Sequence, residues 1–198
     1  ILELTKRYYQ AAHQRKPFVP GTSPVEYAGR VYDEKEMINA VDACLEFWLT
    51  MGRFGREFEK MFASFSGTKY AMLANSGSSA NLLAISALGS HLLPDPLKAG
   101  DEVITVAASF PTTVAPIIMN GWVPVFLDVE LGTYNMDCTL LEEAITAKTR
   151  AIVIAHTLGN PFDLDKVMEI AKRHDLYVVE DCCDALGSLY KGKPVGTY

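Results

Sequence analysis

From Tyr70 onward the chain repeats one pattern: a short continuous apolar run, a junction of small or polar residues, and then a segment of helical length. The runs are 70–74, 102–106, 123–127, 151–155 and 176–181. Continuous apolar runs suit strands that are covered on both faces; one-sided strands alternate instead. The segments between them, 78–88, 112–120, 139–147 and 164–174, read as helices. This alternation predicts an α/β layered domain with a mainly parallel sheet flanked by helices. Ligands of such sheets sit at the carboxyl ends of the strands, so the junctions that follow the apolar runs are the places to look for chemistry.

The residues before this region read differently. Residues 1–16 suit a polar-rich helix, and residues 17–32, broken by Pro17, Pro20, Gly21, Pro24 and Gly29, suit an extended arm. Asp33 and Glu36 form an acidic capping box ahead of the periodic run Met37, Ala40, Val41, Cys44, Leu45, Trp48. That helix is expected to end near Met51-Gly52, with Cys44 in its buried stripe, and residues 57–65 form a second amphipathic helix. The expected division is therefore 1–51 as N-terminal helices and arm, and 52–198 as part of a larger ligand-binding domain.

Composition narrows the class. The 198 residues are 49% hydrophobic and 21% charged, with a net charge of −6, as in a globular enzyme. An acidic chain without a basic run argues against a nucleic-acid partner. No apolar stretch reaches bilayer length, and the start lacks the order of a signal peptide, so no membrane partner is expected. Four cysteines make no disulfide framework, and the adjacent Cys182 and Cys183 suit reduced thiols in a cytoplasm. The first residue is Ile1 and the last is Tyr198, just after Gly192-Lys193-Pro194-Val195-Gly196, which reads as a fragment of a longer protein.

Three junctions carry candidate chemistry. The run 176–179 delivers Glu180 and Asp181 to a strand end, where a buried charge is costly unless a cation meets it. An Asp in this position can pair with a protonated pyridine nitrogen; the plainer reading is an Asp that caps the following turn. Ser76-Gly77-Ser78-Ser79 opens a helix after a strand. Its small residues and exposed amides suit a phosphate, or equally an ordinary Ser N-cap. It is not a Walker loop, because no Gly-Lys-Ser/Thr follows. Phe110, ahead of Pro111, stands where a flat ring can stack on a planar cofactor; the plainer reading is a core Phe. His156 follows another strand and is read as a His hydrogen-bonded to a nearby loop.

The order of these blocks resembles the DegT/DnrJ/EryC1/StrS sugar aminotransferase family, of the type I pyridoxal-phosphate aminotransferase fold. The matching blocks are Gly52-Arg53-Phe54 with Phe58-Glu59, Ser76 to Ala80, Ser109 to Thr113, His156 to Gly159, and Glu180 to Gly187. The resemblance implies that Gly77 and Ser78 hold the cofactor phosphate, that Phe110 stacks on the ring, and that Asp181 pairs with the ring nitrogen. Asp184 then faces the ring oxygen, at a position where aminotransferases commonly carry Gln. The cysteine pair and the Phe-Pro-Thr-Thr block look most like the iron–sulfur 3-dehydratases within this family.

That likeness implies a pyridoxamine 5'-phosphate (or pyridoxal 5'-phosphate) cofactor and a [2Fe–2S] cluster, with Cys183 favoured over Cys182 as one metal ligand. The implied reaction is C-3 dehydration of the nucleotide sugar CDP-4-keto-6-deoxyglucose in 3,6-dideoxyhexose (O-antigen) biosynthesis. The implied partners are a second copy, as a homodimer, and a separate NAD(P)H-dependent reductase. The catalytic His or Lys position, three further cluster cysteines and a small domain are expected beyond Tyr198, so residues 1–198 alone are expected to be inactive. A sugar-nucleotide aminotransferase, with Lys at that position, and a cluster-free dehydratase are the alternatives. A non-enzymatic nucleotide-binding module leaves Asp181 and Phe110 unexplained.

Overall fold

The computed structural model describes residues 1–14, 16–26 and 29–198. These form two compact units, Ile1–Phe58 and Glu59–Tyr198. The parts of the expected helix and arm that fall on Arg15, Tyr27 and Ala28 lie outside the described residues.

In the first unit, helix α1 (Leu2–Ala12) packs against α2 (Glu34–Glu46). The capping box at the start of α2 is present: the Asp33 side chain accepts from the Lys35 amide at 2.7 Å, and Glu36 accepts from the Asp33 amide at 2.7 Å. The helix stops at Glu46, short of the expected Met51-Gly52. Phe47 takes a left-handed conformation and bonds back to the Cys44 carbonyl, tightening the last turn. The Trp48 indole donates to the Met51 carbonyl in a separate turn. Cys44 is exposed rather than buried in a core stripe. Helix α3 (Arg53–Ser66) opens with Arg53, whose guanidinium is paired with Asp42 at 2.5 Å and with Glu46.

The second unit is a three-layer sandwich. Four parallel strands, β1 (Glu102–Val106), β2 (Val123–Leu127), β3 (Thr149–Ala155) and β4 (Tyr177–Asp181), lie in the order β2-β1-β3-β4. Period-two alternation divides β1, β3 and β4 between two cores, whereas the edge strand β2 gives Val125 and Leu127 to one core and leaves Val123 and Phe126 half-exposed. Val103, Ala151 and Val153 face Ile85, Ile117 and Trp122, on the side of α4 (Gly77–Ala87) and α5 (Pro111–Met119). Ile104, Val106, Ile152 and Ile154 face Leu164, Val167 and Ile170 of α7 (Leu164–Arg173) and Leu141 of the short α6 (Leu141–Ala144). Burial of both faces explains why β1 and β3, the central strands, read as nearly unbroken apolar runs. A small hairpin, β5 (Leu189–Tyr190) and β6 (Lys193–Pro194), follows. Its turn residues Lys191 and Gly192 both have positive φ, as two-residue hairpin loops prefer.

Two expected elements differ. Residues 70–74 form no strand; among the described residues none of the strands pairs with them, and the Leu73 amide donates to Glu59 instead (2.8 Å). The helix expected over 139–147 shrinks to four residues. Asp137 takes the Thr139 amide and hydroxyl, Thr149 takes the Thr146 amide, and Ile145 is already extended. Side-chain bonds of this kind compete with helix, and β-branched residues favour the extended form.

Candidate active site

A cavity of about 650 Å³ opens at the carboxyl ends of β1, β3 and β4. Gly77, Ser78, Phe110, Asp181, Cys183 and Asp184 all line it, so the fold brings together every candidate site residue identified in the sequence.

The acidic pair at the end of β4 is split by the strand's alternation. Asp181 faces α4 and α5, and Glu180 faces the opposite layer. Asp181 is 9% exposed. Its Oδ2 accepts from Asn81 Nδ2 on α4 and from Thr113 Oγ1 on α5, both at 2.8 Å. Its Oδ1 accepts from the Cys183 amide at 3.1 Å. Among the described residues no cationic side chain forms an ion pair with it, so a buried carboxylate meets the cavity held by neutral donors. This fits a ligand that brings a cationic N–H, as a protonated pyridine does.

Gly77 and Ser78 are the first residues of α4, so the positive end of the helix dipole and its unpaired amides open into the cavity. Ser76 is the N-cap and accepts from the Ser79 amide at 3.1 Å. The N-cap reading and the anion-site reading thus apply to neighbouring residues and do not compete. Phe110 is the N-cap residue of α5, with Pro111 in the first turn, and its 68% exposure excludes the core reading. Asp184 is exposed on the turn after β4. Gly159 packs under that turn: its φ is +81°, and a Cβ there would stand 2.7 Å from the Asp184 carbonyl oxygen.

The cysteines diverge. Cys183 is exposed and lines the cavity, 3.9 Å from the place a Cβ on Gly77 would take. Cys182 packs against the apolar core on the other side, and its thiol is pushed up to about 12, first by burial and then by Glu180 and Asp181.

Sequence reasoning missed the partners of the acidic pair. Asn81 lies one turn after Gly77 on α4, a spacing that places both on one helix face. Thr113 belongs to a block in which only Phe110 and Pro111 are given a structural role. His156 is bonded to the Phe162 loop, as expected: its Nδ1 accepts from the Phe162 amide (3.4 Å), and its ring stacks on Phe162 at 4.2 Å. Its Nε2, however, meets Glu180 at 3.0 Å in full burial. Glu180 also accepts from the amides of Gly196 (2.8 Å) and Tyr198 (3.3 Å). Burial raises the Glu180 pKa, but the bonds from His156 and the two amides outweigh it and hold the carboxyl below its ordinary value.

Known proteins match this arrangement. Residues 31–198 match the DegT/DnrJ/EryC1/StrS aminotransferase family. The chain is 53% identical over 199 residues to lipopolysaccharide biosynthesis protein RfbH of Salmonella typhimurium, covering 100% of this chain and 46% of that protein. It is 51% identical over 193 residues to the dTDP-4-dehydro-2,6-dideoxy-D-glucose 3-dehydratase of Saccharopolyspora spinosa, covering 97% and 42%. The chain thus spans just under half the length of these relatives. In three dimensions it superposes on GDP-4-keto-6-deoxymannose-3-dehydratase, a crystal structure with a trapped PLP-glutamate geminal diamine, with a TM-score of 0.81. The identity there is 36%, over 88% of this chain and 45% of that one. An aminotransferase from Psychrobacter cryohalolentis superposes with a TM-score of 0.76 at 34% identity, over 91% of this chain and 42% of that one. The parallel sheet flanked by helices is therefore the fold of the pyridoxal-phosphate sugar aminotransferases, and the chain belongs to the DegT/DnrJ/EryC1/StrS aminotransferase family.

Proposed function

We propose that the cavity binds pyridoxamine or pyridoxal 5'-phosphate, and that the full-length protein removes the C-3 hydroxyl of CDP-4-keto-6-deoxyglucose in 3,6-dideoxyhexose (O-antigen) biosynthesis. The observation that carries this reading is Asp181: a buried carboxylate at a strand end, held by neutral donors and lacking a protein cation among the described residues. Similarity to RfbH and to two nucleotide-sugar 3-dehydratases supports the substrate class.

When bound, the cofactor supplies an electron sink for the carbon acid chemistry that expels the hydroxyl. The start of α4 at Gly77 and Ser78 holds the phosphate dianion. Phe110 would cover one ring face, Asp184 would meet the ring oxygen, and Asp181 would keep the proton on the ring nitrogen. Cys183, exposed in the cavity wall, would supply one thiolate ligand to a [2Fe–2S] cluster. The protein works as a cytoplasmic homodimer with a separate NAD(P)H-dependent reductase.

The test is Asp181→Asn in the full-length protein. The fold should survive, while loss of the charge facing the ring costs about 3 kcal/mol, roughly a hundredfold in turnover. Wild-type turnover in that variant would sink the assignment. The second reading is a sugar-nucleotide aminotransferase, favoured by the likeness to the aminotransferase from Psychrobacter cryohalolentis. Transfer of an amino group to the sugar by the wild-type protein would select it.

A further inference from the structure

The hydrogen bonds around Asp181 are unequal. Oδ2 receives two side-chain donors at 2.8 Å, from Asn81 on α4 and Thr113 on α5. Among the described residues, Oδ1 receives only the Cys183 amide, at 3.1 Å. A carboxylate oxygen has two acceptor sites, so Oδ2 is full and one site remains on Oδ1. Thr113 is completely buried, and the Asp181 carbonyl is itself fixed by the His156 amide at 3.1 Å. Rotation of the carboxyl group would break a bond to one helix or the other.

From this geometry we infer that Asn81 and Thr113 are positioning residues, which saturate Oδ2 so that Oδ1 alone receives the N–H of the cofactor ring. The inference rests on the cofactor reading above and deepens it. The two helices involved are those whose N-terminal ends bear the other candidate cofactor contacts, Gly77 and Ser78 on α4 and Phe110 on α5. Asn81 therefore ties the ring-nitrogen end of the site to the phosphate end within one helical turn. Thr113 ties it to the ring-stacking end. A cofactor seated by its phosphate and its ring face is thereby set against a carboxylate whose free oxygen points one way.

The experiment measures binding, not turnover. Apo full-length protein is titrated with pyridoxamine 5'-phosphate and with its 1-deaza analogue, in which a C–H replaces the ring nitrogen. A charge-assisted bond is worth enough to give the wild type roughly a ten- to hundredfold preference for the nitrogen ring. Thr113→Val and Asn81→Leu should each cut that preference at least about fivefold while binding the deaza analogue as the wild type does. Thr113→Ser, which keeps the hydroxyl, should restore it. Because the two side chains sit on different helices, a variant that fails to fold at one position leaves the other to decide. Parallel loss of affinity for both compounds, or an unchanged preference in both variants, overturns the positioning role. A wild type that binds both compounds equally overturns the Asp181–ring pairing as well, and one that binds neither overturns the cofactor reading itself.

Discussion

Replacing Glu180 with Gln tests how the strand end is held. Glu180 Oε2 accepts from His156 Nε2 at 3.0 Å and from the Gly196 amide at 2.8 Å, and Oε1 accepts from the Tyr198 amide at 3.3 Å. The side chain is 7% exposed, so water replaces none of these bonds easily. His156 Nδ1 already accepts from Phe162, which leaves Nε2 as the donor. Gln offers one oxygen. If it stays with His156 and Gly196, its amide group faces the Tyr198 N–H, donor against donor. One bond is lost and two lose their charge, so the anchored turn weakens by about 2–4 kcal/mol. That is a thirty- to thousandfold rise in local opening. Amide exchange at Gly196 and Tyr198 in the full-length protein reads it directly. The carboxyl is held below its ordinary 4.5, so its contribution is complete above that value and is lost as pH falls through the lowered one. Wild-type protection should therefore persist to pH values below 4.5 and then fade, whereas the Gln variant should show no such step. Equal exchange in the two proteins at neutral pH would refute the anchoring argument.

Most of the second unit was legible because its physics is local. Strands buried on both faces are rich in apolar residues, as in 102–106 and 151–155; 123–127 is apolar although one face is half-exposed, and with 176–181 all four sit within two residues of the observed strands. Helix α7 starts at Leu164 as expected, because Asp163 caps it by accepting from the Lys166 amide. Residues 70–74 misled for the same reason: an apolar run records burial or pairing, not the partner that makes it a strand. The short α6 and the early stop of α2 turned on side-chain bonds and a left-handed Phe47, which periodicity does not encode.

The site was legible as positions and illegible as a network. Gly77, Phe110 and Asp181 announce themselves by standing at element ends: Gly77 at the start of α4, Phe110 between β1 and α5, and Asp181 at the end of β4. Asn81 and Thr113 do not, since each is one polar residue inside a helix and meets Asp181 across 100 and 68 residues of sequence. Glu180 looked like the lesser half of an acidic pair. Alternation along β4 gives it a separate task on the opposite face, where it joins His156 to the turn at Gly196–Tyr198. Two adjacent carboxylates are tolerated at one strand end because the sheet stands between them and each has its own donors.

Two substitutions probe the turn after β4. Gly159→Ala places a Cβ 2.7 Å from the Asp184 carbonyl at φ +81°. The left-handed backbone alone costs about 1–2 kcal/mol, and displacement of the carbonyl adds to it, so Tm should fall by about 5 °C or more; an unchanged melt would mean the turn moves freely. The cysteine pair separates on burial. Cys183 faces the cavity with an exposed thiol, whereas Cys182 packs against the apolar core and its thiol is pushed up to about 12 by burial. A cluster ligand must be a thiolate reachable by iron, and the exposed sulfur meets that need at no packing cost. In the full-length protein Cys183→Ser should therefore bleach the visible absorbance of the cluster and abolish net deoxygenation with cofactor still bound. Cys182→Ser should keep its iron, because the substitution alters a core contact and not the cavity wall. The reverse pattern would make Cys182 the ligand and would require the strand end to repack. Iron retained in both variants, or absent from the wild type, would remove the cluster from this site and leave the cluster-free dehydratase or the aminotransferase reading.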